Sequence, residues 1–193
     1  VFTPTGYPFS MKIAVTGGAG FFGGNLVRAL LEDGHSVRVL VREDRRGIEG
    51  LDVEVFEGDV RRLEDVKGLV KGVDAVFHCA AVVSIQGSLG GLVEEVNIGG
   101  PENVVNACLQ AGVKKLVHVS SVHALDPSPQ DEPITESRAL CDSEETHHPA
   151  YARSKANGER AVLAGVKEGL DACILNPSGM IGPYDYKPSP LGE

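Results

Sequence analysis

Short apolar runs alternate with amphipathic helical segments along most of this chain. Runs at 12–16, 37–41, 53–56, 74–79, 115–119 and 172–175 have the length and apolar content of buried strands. Between them, apolar residues recur at helical spacing, which predicts a first helix around 26–31 and further helices near 63–70, 89–111 and 151–168. Strands that alternate with helices in this way predict parallel βαβ units.

Six such strands predict an α/β fold: a doubly wound parallel sheet of the Rossmann type, in three α/β/α layers, with strand order 3-2-1-4-5-6. We expect this domain to span residues 11–185. Residues 1–10 precede the first methionine and carry two prolines without periodicity, so we expect a tail or an expression remnant. Prolines recur after the sixth strand, and we expect residues 186–193 to begin a substrate domain that is missing.

The composition disfavours several function classes. The 193 residues carry a net charge of −9, with 5% aromatic residues and no tryptophan, which disfavours a nucleic-acid-binding protein. No apolar run approaches the ~18 residues of a membrane span. The four cysteines form no CxxC pair, and reduced thiols of this kind predict a cytoplasmic location. The loop at 141–148 holds cysteine, histidine and acidic residues, but its spacing matches no zinc pattern, so we expect no metal site.

A glycine-rich turn follows the first strand directly and opens the first helix. It reads TGGAGFFG at 16–23, with three glycines spaced three residues apart. Glycine permits a sharp turn and lets the backbone approach a pyrophosphate, while the helix N-terminal amides face the phosphates. We predict a dinucleotide site here; the alternative is a glycine turn that binds nothing. The residues predicted to form it are Gly17, Gly20, Phe21, Phe22 and Gly23.

Charged residues close the second strand, where a dinucleotide's adenosine ribose is recognised in this fold. Arg42 is the first polar residue there, and Arg45 and Arg46 follow closely. Guanidinium groups bind a 2′-phosphate through paired hydrogen bonds, so the segment favours NADP over NAD. Glu43 or Asp44 could instead bind the ribose hydroxyls of NAD, and the whole loop could be solvated without a role.

Two further strand ends predict contacts to the adenosine and to the cleft. Asp59 follows the third strand and could accept a hydrogen bond from the adenine amino group, while Val60 packs on the ring. A helix N-cap is an equally good interpretation of Asp59. Ala80 and Ala81 end the fourth strand, and their small side chains leave room for a ligand at the sheet edge.

Catalytic chemistry is indicated by a tyrosine and a lysine on one predicted helix face. Tyr151 and Lys155 stand at i and i+4, where an ammonium would lower the phenol pKa and so favour proton exchange with a carbonyl or alcohol near neutral pH. Ser120 and Ser121 end the fifth strand, on the same sheet edge as the glycine turn. We favour Ser121 as the third partner; the alternative is that both serines only cap the strand.

Taken together, the TGGAGFFG turn, the serine pair and the YARSK segment at 151–155 resemble the extended short-chain dehydrogenase/reductases. The resemblance implies that Ser121, Tyr151 and Lys155 polarise a C–O group while hydride passes to or from the nicotinamide. It also places the stretch Asn176, Pro177 and Ser178 near the nicotinamide. A homodimer formed through two long helices is a further implication.

Within that family, the runs VRVLVRED, SSVHAL and NPSGMIGPYD most resemble the dihydroflavonol 4-reductase-like branch. This resemblance implies an oxidoreductase that uses NADP on a small carbonyl or secondary alcohol. A sugar-nucleotide epimerase or dehydratase with bound NAD is the first alternative, although Leu125 and Asp126 stand where those enzymes often have Tyr-Gly. A dinucleotide-binding module without turnover is the second alternative.

Asn97, in VNIGG, matches the helix asparagine of the same family. Pro101 lies four residues later and has no N–H to donate to the Asn97 carbonyl. We therefore expect a kink, and we hypothesise that the carbonyl holds a water molecule in a proton relay to Lys155. The alternative is a kink without a role.

Overall fold

The computed structural model describes residues 10–142 and 148–186. Its six parallel strands form one sheet in the order β3-β2-β1-β4-β5-β6, which confirms the predicted arrangement. The strands are β1 (Lys12–Thr16), β2 (Ser36–Val41), β3 (Glu54–Glu57), β4 (Ala75–His78), β5 (Lys115–Val119) and β6 (Ala172–Leu175). Strands β1, β5 and β6 have the predicted bounds; β2 begins one residue earlier than predicted, and β3 and β4 each differ by one residue at both ends.

Helices cover both faces of this sheet, which is why its strands are apolar on both sides. Helix α1 (Phe21–Glu32) packs on one face, where its Val27 and Leu30 join a core that includes Val15 and Val39. The helices α2 (Leu63–Val70), α4 (Gly100–Ala111) and α5 (Ala150–Lys167) cover the opposite face. Buried side chains of this second core are Val66, Leu69, Val104, Cys108, Leu116 and Val162.

The single helix predicted over 89–111 is wrong, because the segment is composite. A 3-10 turn (Leu89–Gly91) leads into α3 (Leu92–Glu94), a π-helical segment (Glu95–Gly99) and then α4. Gly90 and Gly91 adopt positive φ values of 68° and 96°, which interrupts the helix at its start. The π segment lies where Pro101 removes a hydrogen-bond donor, and a π turn shifts the pairing by one residue. Asn97 thus lies in a π-helical segment, and the predicted kink stays a prediction.

Several expectations fall on residues 1–9, 143–147 and 187–193, which lie outside the described part of the chain. These include nearly all of the predicted tail and of the segment expected to begin a second domain. All four cysteines are free thiols. Across 10–142 and 148–186, no helix combines the length and apolar character needed to cross a membrane.

Candidate active site

The glycine turn between β1 and α1 forms a cradle that side chains would fill. Gly17 has a positive φ of 68°, and a β-carbon there would stand 2.6 Å from the amide nitrogen of Ala80. A β-carbon at Gly23 would stand 2.1 Å from the Gly17 carbonyl oxygen, so this glycine lets α1 pack on the turn. Within the described residues, no side chain caps α1 and no acidic residue lies in its first turn. The cradle thus suits the diphosphate of a dinucleotide.

A cleft of about 360 Å³ opens beside this cradle at the carboxyl ends of the strands. Its lining includes seven of the residues predicted to bind the cofactor: Gly17, Gly20, Arg42, Asp59, Val60, Ala80 and Ala81. Phe21 and Phe22 begin α1 outside this lining, and both are partly buried. These residues lie together because the parallel register brings the carboxyl ends of successive strands to one edge of the sheet.

At the adenosine end, the Asp59 carboxylate is held by Arg61. The Arg61 Nη2 and Nε atoms donate to Asp59 Oδ2 at 2.7 and 3.0 Å, and Arg61 Nη1 donates to Glu95 at 3.0 Å. The Arg61 guanidinium holds the pKa of Asp59 below its usual value. Helix α2 has Arg62 as its N-cap residue, so the N-cap interpretation of Asp59 is wrong. Its carboxylate remains ionised at the edge of the cleft.

The arginines after β2 differ in their partners. Arg45 pairs with Glu57, and Arg46 donates to the Asp44 carboxylate at 2.7 Å. Arg42 lines the cleft, is exposed, and makes no hydrogen bond or ion pair to any residue that the structure describes. Among the described residues, Arg42 is therefore the one of these three arginines that is not hydrogen-bonded to a carboxylate, although its charge contributes to the lowered pKa of Asp59.

Lys155 is tied to the end of β5. Its side chain is only 3% exposed, and Nζ donates a 2.8 Å hydrogen bond to the carbonyl oxygen of Val119. Burial lowers the pKa of Lys155 to about 8, although the charges of Glu159 and Cys79 favour the ammonium. The amine is thus mostly protonated at pH 7 and close to its midpoint at pH 8.

Tyr151 lies on the same face of α5 as Lys155, one turn earlier. The direction of its pKa shift differs from the prediction. Burial raises the pKa of the Tyr151 phenol, and a hydrogen bond with Ser121 opposes part of this effect. The predicted lowering by Lys155 is wrong for this structure, since the amine is directed to the Val119 carbonyl. The ring of His123 lies edge-on to Tyr151, with 6.3 Å between the centroids.

The two serines after β5 have different surroundings. Ser121 interacts with the Tyr151 phenol, and its Oγ accepts a 3.2 Å hydrogen bond from the amide of His123, capping the short helix Val122–Ala124. Ser120 is equally buried, and its Oγ has no hydrogen-bond partner among the described residues. The geometry therefore favours Ser121 as the partner of Tyr151, and this serine also serves as a cap.

Asn97 joins three parts of the site through its side chain. Its Oδ1 accepts from the Val82 amide at 2.8 Å, and its Nδ2 donates to the Val82 carbonyl at 2.9 Å and to Ser154 Oγ at 3.0 Å. Ser154 in turn donates to the Tyr151 carbonyl at 2.7 Å. Asn97 thus connects the chain after β4 to the first turn of α5. The proposed water relay from its carbonyl to Lys155 stays a prediction.

The segment after β6 docks on the serine turn. Asn176 Nδ2 donates to the Ser121 carbonyl at 3.1 Å and to Glu159 Oε1 at 2.5 Å, and the Pro177 carbonyl accepts from the Val122 amide at 3.0 Å. Ser178 is exposed.

Sequence reasoning missed one residue of this site. Glu159, a buried carboxylate, binds Asn176 and lies close enough to Lys155 to favour its charged form. Its position four residues after Lys155, on the same helix face, was the available signal.

Curated proteins of known sequence resemble this chain along most of its length. Sterol demethylase protein B of Methylococcus capsulatus is 35% identical over 185 residues, covering 95% of this chain and 56% of that protein. A putative dihydroflavonol 4-reductase of Synechocystis sp. is 36% identical over 181 residues, covering 93% and 52% respectively. The chain spans about half the length of the curated relatives it matches.

Solved structures share the same fold. The crystal structure of gox2253 superposes with a TM-score of 0.85 and 34% identity, covering 95% of this chain and 56% of that one. DesIV, a dTDP-glucose 4,6-dehydratase from Streptomyces venezuelae with NAD and TYD bound, gives a TM-score of 0.79 and 30% identity, covering 91% and 58%. The family model described as NAD dependent epimerase/dehydratase family matches residues 13–192. With its strand order, its glycine cradle and this match, the chain belongs to the NAD dependent epimerase/dehydratase family.

Proposed function

We propose that this chain is the nucleotide-binding part of an oxidoreductase that transfers hydride between NADP and a small carbonyl or secondary alcohol. The observation that carries the proposal is the grouping of Ser121, Tyr151 and Lys155 at the carboxyl edge of the sheet. The nucleotide cleft opens at the same edge. Because the chain spans about half of its relatives, turnover is proposed for the whole protein.

The side chains support an acid-catalysed reduction. When bound, the nicotinamide cofactor supplies the hydride. Burial keeps the Tyr151 phenol protonated at neutral pH, so it can donate a proton to a carbonyl oxygen. Ser121 Oγ can donate a second hydrogen bond to that oxygen. Lys155, held by the Val119 carbonyl and charged at pH 7, can donate a hydrogen bond to the nicotinamide ribose when the cofactor is bound.

The partners of the three arginines support NADP as the preferred cofactor. A 2′-phosphate needs guanidinium donors that are not already used, and Arg42 makes no hydrogen bond or ion pair within the described residues. Arg46 is already paired with Asp44. Glu43 also lines the cleft, and a ribose hydroxyl bound to Glu43 would favour NAD instead.

A sugar-nucleotide epimerase or dehydratase that keeps NAD bound is the second candidate. Its support is the similarity to DesIV, whose crystal structure contains NAD. A module without turnover is less favoured, since binding alone does not require the Ser121, Tyr151 and Lys155 group. The cytoplasmic location and the homodimer stay predictions.

One experiment separates these candidates. The 193-residue chain and the full-length product of its gene are purified and tested for retained cofactor, then assayed with NADPH and a panel of small carbonyl compounds. We expect NADPH consumption that is lost in Tyr151→Phe. Tightly retained NAD without net NADPH consumption would favour the epimerase or dehydratase. Cofactor binding without turnover on either class of substrate would favour the silent module.

A further inference from the structure

Two buried histidines lie side by side behind the catalytic edge, and the mechanism above does not use them. His78 ends β4 and is paired in register with His118 of β5. Their side chains are 1% and 2% exposed, and the rings stack with 5.2 Å between centroids and 24° between planes. Burial lowers the pKa of both imidazoles, to about 3 for His78, so both rings are neutral.

Hydrogen-bond accounting assigns the tautomer of His78. Thr16 Oγ1 accepts from the Ala80 amide at 3.3 Å and lies 2.6 Å from His78 Nδ1. The hydroxyl has one proton to donate, and Nδ1 is the acceptor within reach. We assign Nδ1 as the acceptor of the Thr16 hydroxyl proton, which leaves the ring proton of His78 on Nε2. That Nε2–H group points away from the bond to Thr16.

Apart from Arg38 Nε, which lies in an ion pair with Glu54, four buried side-chain polar atoms have no hydrogen-bond partner in the part of the chain that the structure describes. They are His78 Nε2, His118 Nδ1, His118 Nε2 and Ser120 Oγ. Because alternate residues of a strand share a face, Ser120 extends the row of His118 on the same side of the sheet. Folded proteins rarely leave such groups unsatisfied, and buried water with about three hydrogen bonds is the usual partner.

We propose that His78, His118 and Ser120 bind ordered water behind the sheet edge, and that this hydrated histidine pair is a positioning element for Lys155. The donor and acceptor balance fits water, because neutral imidazoles supply both kinds of group and the serine hydroxyl supplies one of each. The three side chains together offer four unpartnered polar atoms, and a buried water usually needs two to four polar partners.

The link to Lys155 runs through the backbone of β5. His118 and Ser120 flank Val119, whose carbonyl oxygen holds Lys155 Nζ at 2.8 Å. Water bound to His118 and Ser120 would hold the end of β5 in place and so fix the direction of the Val119 carbonyl. The charge of Lys155 lowers the pKa of both histidines, so neutral rings offer hydrogen bonds without like-charge repulsion. The other titratable groups that act on the amine are Glu159 on α5 and Cys79 after β4.

The direction of the change in Tm of His118→Phe tests whether water occupies this site. His118→Phe keeps a planar ring but removes two polar atoms. If water satisfies them, the variant loses these bonds and we expect Tm to fall by about 2–4 °C. A dry pair predicts the opposite, since replacing unsatisfied polar atoms with an apolar ring would raise Tm. His35→Phe is the matched control, because buried His35 already accepts a hydrogen bond from the Met11 amide and lies far from the site.

If His118→Phe fails to fold, NMR of the wild-type protein tests the water site instead. Magnetisation transfer between bound water and the imidazole protons of His78 and His118 should be observable by NMR, and its absence would overturn the water site.

The positioning role rests on the proposed function, whereas the water site does not. His118→Phe should lower the titration midpoint of Lys155, followed by Nζ NMR without substrate, by about 0.5 pH or more. An unchanged midpoint would reject the positioning role. Absence of turnover in the unmodified enzyme would instead reject the proposed function, leaving the water and titration results to stand.

Discussion

Gly158 of α5 lies against the backbone carbonyl of Asn97: a β-carbon at residue 158 would stand only 2.5 Å from that oxygen. The contact brings α5 close to the π-helical segment. This approach lets Ser154 reach the Asn97 side chain and places Lys155 within hydrogen-bond distance of β5. Close packing of α5 on the π-helical segment thus sets the position of the helix that carries Tyr151 and Lys155.

Gly158→Ala should therefore destabilise the fold. The added methyl group meets backbone, which cannot move aside cheaply, so we expect a loss of about 1–3 kcal/mol in the free energy of unfolding. Gly99→Ala is the matched control, because its β-carbon would meet nothing within 4 Å and its φ of −62° suits alanine. We expect that control to gain about 0.5–1 kcal/mol. Urea unfolding of both variants measures the difference, and equal stabilities would contradict the packing argument.

Tyr151→Phe should remove turnover while leaving cofactor affinity close to that of the wild type. The variant loses the proton donor but keeps the ring, so we expect kcat to fall by about 10²–10⁴-fold. Steady-state assays and fluorescence titration with NADPH measure the two quantities. Tyr184→Phe, which keeps the ring stacked over Arg28, is the control and should retain activity. Full activity in Tyr151→Phe would refute the proton-transfer role.

Arg42→Ala should weaken NADPH binding by about tenfold or more while changing NADH binding less than about twofold, because the charge-assisted bonds to the 2′-phosphate are lost. Arg46→Ala should have little effect, since Arg46 is engaged by Asp44. Calorimetric titration with both cofactors gives the ratio. An equal loss for NADPH and NADH would reject Arg42 as the phosphate ligand.

Asp59→Ala should abolish the preference for adenine over hypoxanthine in the cofactor. Hypoxanthine lacks the amino group that donates a hydrogen bond to the Asp59 carboxylate. The wild type should therefore prefer NADPH over its hypoxanthine analogue by about tenfold. Arg61→Ala should keep that preference, because it releases the carboxylate without removing it. Dissociation constants for the two dinucleotides test this. A preference that survives in Asp59→Ala would show that another group binds the amino group.

Acid should destabilise the fold through the buried histidines. The pKa of His78 is about 3 in the fold and near 6.5 in an unfolded chain, so between these values only the unfolded state binds the proton. The free energy of unfolding should fall by about 1.4 kcal/mol per pH unit for each neutral histidine as the pH drops below about 6.5. His78→Asn cannot titrate and should flatten this slope. Identical slopes in urea unfolding at pH 6.5, 5.5 and 4.5 would contradict the assignment.

Local patterns predicted the fold and seven of the residues that line the cleft. The glycine turn is recognisable because a positive φ at Gly17 and the close approach at Gly23 exclude side chains. Parallel strands then bring Asp59 and Ala80 to the same edge without any further information. The prediction of one continuous helix over 89–111 was wrong. One proline and a pair of glycines interrupt the helix despite the apolar periodicity of the rest of the segment.

The linear chain was sufficient for the strand order, which follows from six strands alternating with helices, and for placing Tyr151 and Lys155 one turn apart on one helix. Tertiary packing determined where the amine of Lys155 points and how far the Tyr151 phenol is buried. Both properties depend on contacts between β5 and α5, segments separated by more than thirty residues. Spacing on a helix therefore identifies a pair of groups, whereas burial and hydrogen bonds to distant backbone set their protonation.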